Sequence, residues 1–203
     1  MKKINIGIVD YDLGNHDSLF FFLKSLGFKV VISKDFSILS GVDLIALPGV
    51  GAFPKAMKSL SESGIINFLT QWSTQGNPLL GICLGMQLLG SVSYEFGETK
   101  GLGLIPGEIV PLDSGKWHIG WNDHVPYKGN DLFGISTKDQ FYYNHSFKFS
   151  GNEQAIMSYS MFDELIPAII KKNNTVGIQF HPEKSQKSGQ KLILRIVESL
   201  VNG

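Results

Sequence analysis

Leu79-Leu80-Gly81-Ile82-Cys83-Leu84-Gly85 joins a short apolar run to a cysteine set between two glycines. A buried strand that turns sharply and feeds a helix has the geometry of a nucleophile elbow, here with Cys in place of Ser. The glycines matter because a neighbouring Cβ would clash at a strained turn. Such a turn lifts the sulfur above the sheet edge. A helix starting at Leu84 would lower the thiol pKa and offer free backbone N–H groups to an oxyanion. A lone cysteine is otherwise most often a small buried hydrophobe. The paired glycines favour the reactive reading of Cys83.

Working outward from this elbow, the first half of the chain alternates strand and helix signals. Ile4 to Asp10, Phe28 to Ile32, Asp43 to Leu47 and Pro78 to Ile82 read as buried strands. Asn15 can cap a helix that runs to Leu26 and ends at Gly27. Residues 52–75 read as helix in two pieces, broken near Gly64. Short apolar strands separated by helices imply a mostly parallel sheet covered on both faces. The second half changes character. Gly107 to Leu112, Gly120 to Pro126, Gln140 to Phe149, Gln154 to Ser160 and two runs around Asn173-Asn174 read as strands with few helices between them, so antiparallel pairing is expected. Gly189 to Val201 closes the chain as an amphipathic helix.

A thiol nucleophile needs a proton acceptor. The chain offers five histidines, and His181 is the best placed, in Val176-Gly177-Ile178-Gln179-Phe180-His181-Pro182-Glu183. It lies where an apolar strand ends, which is where sites gather in α/β sheets. In an extended chain residues two apart point the same way, so Glu183 can reach the imidazole and fix its tautomer. Cys83, His181 and Glu183 then supply nucleophile, base and orienter. The bland alternative makes His181 and Glu183 an ordinary surface pair. A zinc site built from the same three residues is disfavoured, because no ligand spacing supports it; no metal and no cofactor is expected.

With 203 residues, one domain spanning 1–203 is expected. Hydrophobic residues make up 43%, enough for a substantial core. Lys plus Arg and Asp plus Glu both number 18, so no basic surplus points to nucleic acid or to an anionic membrane. No run is long and apolar enough to span a bilayer, and Asn5 and Gly7 interrupt any signal-peptide core. With a single cysteine, an internal disulfide is impossible and a cytoplasmic location is expected.

Together these residues resemble the class I (triad) glutamine amidotransferases. The matching stretches are Asp10-Tyr11-Asp12-Leu13-Gly14-Asn15, Pro48 to Phe53 (P-G-V-G-A-F), Gly81 to Gln87 (G-I-C-L-G-M-Q), Gly101 to Gly107, His118-Ile119-Gly120-Trp121-Asn122, His145-Ser146 and Gln179 to Ser185 (Q-F-H-P-E-K-S). Within the class, P-G-V-G-x-F with H-x-G-W-N is similar to the glutaminase subunits of imidazole glycerol phosphate synthases. The resemblance implies a flavodoxin-like α/β fold. It implies hydrolysis of L-glutamine to L-glutamate and ammonia through a γ-glutamyl thioester on Cys83. An oxyanion hole would use the Leu84 N–H and an N–H near Val50, in the loop Gly49, Val50 and Gly51. Gly51, Gln87, His145 and Ser146 would hold the glutamine. The loop glycines would let a peptide flip, switching the oxyanion donor on and off. The chain departs from the family pattern at Asp12, usually Gly, at Trp117, usually Pro, and around Asn144.

Nothing in the chain would use the ammonia: there is no P-loop and no credible dinucleotide fingerprint. The resemblance implies a (β/α)8-barrel cyclase subunit as partner, forming imidazole glycerol phosphate in histidine biosynthesis. His118, Trp121, Asn122, Tyr142 and Lys184 are the candidates for the docking face or its gate. Alternative readings are a paralogue feeding a cyclase-like barrel that aminates a sugar precursor of a surface glycan, a stand-alone γ-glutamyl hydrolase, and a non-catalytic protein with a decayed site.

Overall fold

The structure, a computed structural model, describes residues 3–127 and 133–202. Its frame is a nine-stranded sheet. β1 (Asn5–Val9), β2 (Lys29–Ser33), β3 (Leu44–Leu47), β4 (Leu79–Ile82) and β13 (Thr175–Ile178) are parallel, in the order β2-β1-β3-β4-β13. β12 (Leu165–Lys172), β11 (Ile156–Met161), β8 (His118–Pro126) and β9 (Gln140–His145) continue the sheet antiparallel, in that order. The parallel-then-antiparallel split is the one expected from the change of character along the chain.

Every residue of β3, β4 and β13 is buried. These strands are apolar throughout because both sheet faces are covered. Alternate side chains serve two separate cores. Leu44, Ala46, Leu80 and Ile82 pack with α1 (His16–Ser25) and α6 (Gln186–Asn202). Ile45, Leu47 and Leu79 pack with α3 (Phe53–Glu62), α4 (Ile65–Thr74) and α5 (Leu84–Leu88). The break between α3 and α4 falls at Gly64, whose φ of 71° suits glycine.

Several boundaries differ from expectation. The run Gln140 to Phe149 is two strands, not one: it divides at Ser146, and β10 (Phe147–Gly151) leaves the large sheet. With β7 (Gly107–Pro111), β5 (Val92–Ser93) and β6 (Thr99–Lys100) it forms a second sheet, ordered β10-β7-β5-β6. Two-residue strands carry no alternation, so β5 and β6 left no sequence signal. The short helix α2 (Phe36–Leu39), capped by the Asp35 carboxylate, was likewise too brief to read. Residues 153–155 form a 3-10 turn before β11 instead of extending it. α6 starts at Gln186 and Gly189 lies inside it. A Cβ on Gly189 would come within 2.1 Å of the Pro182 carbonyl oxygen, so this glycine serves close packing and does not mark a boundary. No helix among the described residues is long and apolar enough to cross a membrane.

Two glycine substitutions separate crowding from backbone strain. Gly85→Ala would set a Cβ 1.8 Å from the Leu47 carbonyl oxygen. It should cost about 3 kcal/mol in urea unfolding. Gly27→Ala meets nothing within 4 Å but has φ +95°, and should cost only about 1 kcal/mol. Equal losses would contradict the close approach of β3 to α5.

Candidate active site

The elbow forms where β4 stops. Cys83 has φ 55° and ψ −113°, a conformation L-residues rarely adopt. Its N–H donates to the Ile178 carbonyl at 2.8 Å, which ties the turn to the end of β13. The flanking glycines are both required by contact: a Cβ on Gly81 would lie 2.6 Å from the Gly85 oxygen, and one on Gly85 would strike Leu47. The sulfur-bearing turn is thus wedged between β3, α5 and β13.

His181 follows β13 and lies beside Cys83. Its Nδ1 is 2.9 Å from Glu183 Oε1, and Cys83 and His181 border one cleft. The contact with Glu183 was expected, but its cause differs. The chain is not extended here: Pro182–Lys184 is a 3-10 turn with His181 as its cap, and the turn folds the carboxylate back onto the ring. Ser185 Oγ donates to the His181 carbonyl at 2.6 Å and accepts from the Tyr142 N–H at 3.0 Å, fixing the turn to β9. Burial opposes charge on His181. Hydrogen bonds to Cys83 and Glu183, and their charges, outweigh it and raise the imidazole pKa to about 10. With Nδ1 taken by Glu183, Nε2 is the ring nitrogen left to exchange a proton. Among the described residues no group of three or more His, Cys, Asp or Glu is arranged to hold a metal ion.

Above the sulfur lies a cleft of about 390 Å³. Cys83, His181, Leu84, Gln87, His145 and Ser146 all border it, and Val50 and Gly51 form the facing loop. Gly49 sits just behind that loop, where a small void touches Pro48, His181 and Glu183. Gln87 is held by bonds from Nε2 to the Phe147 carbonyl at 3.0 Å and to Gln179 Oε1 at 3.2 Å.

A column of polar side chains runs from β8 to the cleft wall. Asn122 Nδ2 is 3.1 Å from His118 Nε2, His118 Nδ1 is 3.0 Å from His145 Nε2, and His145 Nδ1 is 2.8 Å from the Phe147 carbonyl. Burial lowers the His118 pKa to about 4 and the His145 pKa to about 3, so both rings are neutral at pH 7. A carbonyl only accepts, so the His145 proton sits on Nδ1. His145 Nε2 therefore accepts from His118 Nδ1–H, and His118 Nε2 accepts from the Asn122 amide.

The five residues singled out for a docking face or gate divide into two groups. Trp121 and Tyr142 pair across β8 and β9 on an outward face, their rings edge to face at 6.3 Å, with Lys184 Nζ 5.4 Å from the Tyr142 ring centroid. His118 belongs elsewhere: it is 1% exposed, stacked between Tyr143 and Phe162. The strand alternation turns it inward, so it is no surface residue, and Asn122 turns with it toward the His118 ring. Sequence reasoning missed Glu95, the one carboxylate among the described residues bordering the cleft. Glu95 Oε2 accepts from the Phe53 N–H at 2.7 Å, at the start of α3. It follows the two-residue β5, so no spacing pointed to it. Trp117 and Asn144, two of the departures from the family pattern, also border the cleft.

The family model for Glutamine amidotransferase class-I matches residues 8–197. The Imidazole glycerol phosphate synthase subunit HisH of Lactococcus lactis is 39% identical, covering 98% of this chain and all of the relative. The subunit of that name from Aquifex aeolicus is 40% identical, covering 92% of each chain. That of Lacticaseibacillus casei is 44% identical, covering 91% of this chain and 90% of the relative. Among solved structures, PurLQS from Thermotoga maritima superposes with a TM-score of 0.77 at 21% identity, covering 98% of this chain and 100% of that one. At that identity it speaks for the fold alone.

The two neutral histidines have a consequence for stability. Their folded pKa values lie below the ordinary 6.5. On acidification the unfolded chain takes up protons that the folded chain refuses, so stability falls from about pH 6.5 toward about pH 4. Each histidine should contribute about 1.4 kcal/mol per pH unit near pH 5. In urea titrations, His118→Gln should therefore flatten this pH dependence measurably; an unchanged slope would contradict the buried, uncharged column.

Proposed function

The chain belongs to the class-I glutamine amidotransferases, and on that premise we propose that it is the glutaminase subunit of an imidazole glycerol phosphate synthase. It hydrolyses L-glutamine to L-glutamate and ammonia and passes the ammonia to a cyclase subunit in histidine biosynthesis. The reading rests on one arrangement above all: Cys83 on its elbow shares a cleft with an imidazole that Glu183 holds at Nδ1. About 40% identity to the synthase subunits over nearly the whole chain supports the pathway.

Glutamine enters with its side-chain amide over Cys83. The sulfur attacks the amide carbon, and the carbonyl oxygen takes up the negative charge. The Leu84 N–H, at the start of α5 and without an intrahelical partner, and an N–H of the Gly49–Gly51 loop stabilise that oxyanion. His181 gives its proton to the departing nitrogen, so ammonia leaves and a thioester remains. His181 then takes a proton from water, which attacks the thioester; glutamate leaves and the sulfur is regenerated. Glu183 keeps the imidazole oriented throughout. Glu95 suits the substrate's α-ammonium, while Gln87, His145, Ser146 and Gly51 line the space for the rest of the amino acid.

Ammonia must leave this cleft without being lost to water, which calls for a partner over its mouth. Trp117 is 63% exposed, Ile119 57% and Trp121 46%, an apolar surface suited to burial. The partner is a (β/α)8-barrel cyclase seated on the face of Trp121, Tyr142 and Lys184. A cytoplasmic location accompanies this reading, and the free Cys83 thiol fits it.

Cys83→Ala in the assembled complex should lower glutamine turnover by roughly 10⁴-fold or more, and Glu183→Gln by roughly 10²–10⁴-fold. Survival of wild-type turnover in Cys83→Ala would end the glutaminase reading. Glu95→Gln should raise KM for glutamine by roughly 10–100-fold with a smaller change in kcat; an unaltered KM would remove Glu95 from substrate binding. The isolated chain should be nearly idle, and the cyclase with its own substrate bound should raise turnover by at least roughly tenfold. Failure of well-expressed protein to rescue a histidine auxotroph lacking its glutaminase subunit would remove the pathway assignment.

A further inference from the structure

Tyr11 is buried at 1% exposure, and the chemistry above makes no use of it. Its hydroxyl donates to the Pro48 carbonyl at 2.7 Å, across 37 positions of sequence. The ring is fixed from several sides. It packs in the core that holds Leu47, Phe53 and Leu84, and it meets the His16 ring edge on at 6.3 Å. Its own carbonyl accepts from Ser59 Oγ at 2.5 Å, which anchors it to α3. A Cβ added to Gly49 would lie 2.6 Å from the Tyr11 oxygen and 3.0 Å from Leu84 Cβ. The hydroxyl therefore sits against the loop at the point where the loop passes the nucleophile elbow.

Beyond Pro48 the loop is loose. Among the described residues, the backbone groups of Gly49, Val50 and Gly51 make no hydrogen bond. Val50 is 40% exposed, and Gly51, at φ +95°, has open space around its Cα. The loop is held again at the start of α3, where the Phe53 N–H is bound by Glu95. It is thus a short free span between two tethers.

We propose that Tyr11 is a positioning residue for the oxyanion donor: by pinning the Pro48 carbonyl it keeps the Pro48–Gly49 peptide fixed, so that only the peptides after Gly49 can rotate. A peptide in a free loop rotates most easily when its neighbours counter-rotate. With one neighbour clamped, a donor N–H in the loop swings through a defined arc and stops at a reproducible place over the cleft. A preorganised donor stabilises an oxyanion far better than one that must be ordered during the reaction. Burial, with the nearby Cys83 charge, pushes the phenol pKa well up, so the hydroxyl remains a donor throughout the working pH range. This inference rests on the glutaminase reading and on the loop supplying an oxyanion donor.

Tyr11→Phe, assembled with the cyclase subunit, separates this role from simple packing. Glutamine turnover and alkylation of Cys83 by iodoacetamide should be measured together, with circular dichroism to confirm the fold. Alkylation needs the nucleophile but forms no oxyanion. We expect kcat for glutamine to fall by about tenfold, with KM and the alkylation rate within about twofold of wild type. A kcat within about twofold of wild type would overturn the proposal, as would equal losses of turnover and alkylation, which would mean a distorted elbow. If Tyr11→Phe fails to assemble, Ser59→Ala loosens the same tyrosine from its backbone side. It should lower kcat by at least about threefold with alkylation preserved, and an unchanged kcat there would be equally fatal. Cys83→Ala serves as the control: a dead Cys83→Ala beside a normal Tyr11→Phe sinks only the role of Tyr11, whereas an active Cys83→Ala sinks the glutaminase reading itself.

Discussion

The parallel pairing of β4 with β13 holds the site together. Its register sets Gly81 beside Gly177 and Ile82 beside Ile178, so the two strands end at the same height. Cys83 leaves one strand end and His181 follows the other, and the bond from the Cys83 N–H to the Ile178 carbonyl locks the two together. A slip of β13 by one residue would turn Ile178 to the opposite face of the sheet and displace His181 from Cys83. The antiparallel hairpin through Asn173, at φ 51°, secures β13 from its other side by pairing it with β12.

On that frame the electrostatics follow. His181 is buried, and burial alone would discharge it. Two potential anions in contact with it reverse the balance. The cost of burying a charge is offset only where partners are close and well oriented, which is what the 3-10 turn at Pro182–Lys184 supplies. The positive backbone φ at Cys83 stores strain in the same few residues. That strain raises the local free energy, and the all-buried strands on either side hold the turn in place.

The elbow, the parallel strands and the approach of Glu183 to His181 were legible because each leaves a strong local mark: apolar runs, paired glycines, and a histidine at a strand end. The second sheet was not legible. β5 and β6 are two residues each, too short for any period, and Glu95 follows β5 unannounced. The inward turn of His118 was not legible for a different reason. H-x-G-W-N marks a site but does not say which face of β8 each side chain takes; pairing with β9 and β11 decides that. Tyr11 and Pro48 are far apart in sequence, and nothing in either segment advertises their bond.

The column Asn122–His118–His145 has a mechanical side as well. Each link has one workable polarity, because reversing any of them would set two lone pairs, or two hydrogens, against each other. The column cannot slide through intermediate settings. It is seated or it is broken. The cleft wall at His145 is therefore braced by a stiff strut reaching to β8, and pressure arriving on that strand would be borne rigidly instead of dissipated in soft side-chain motion.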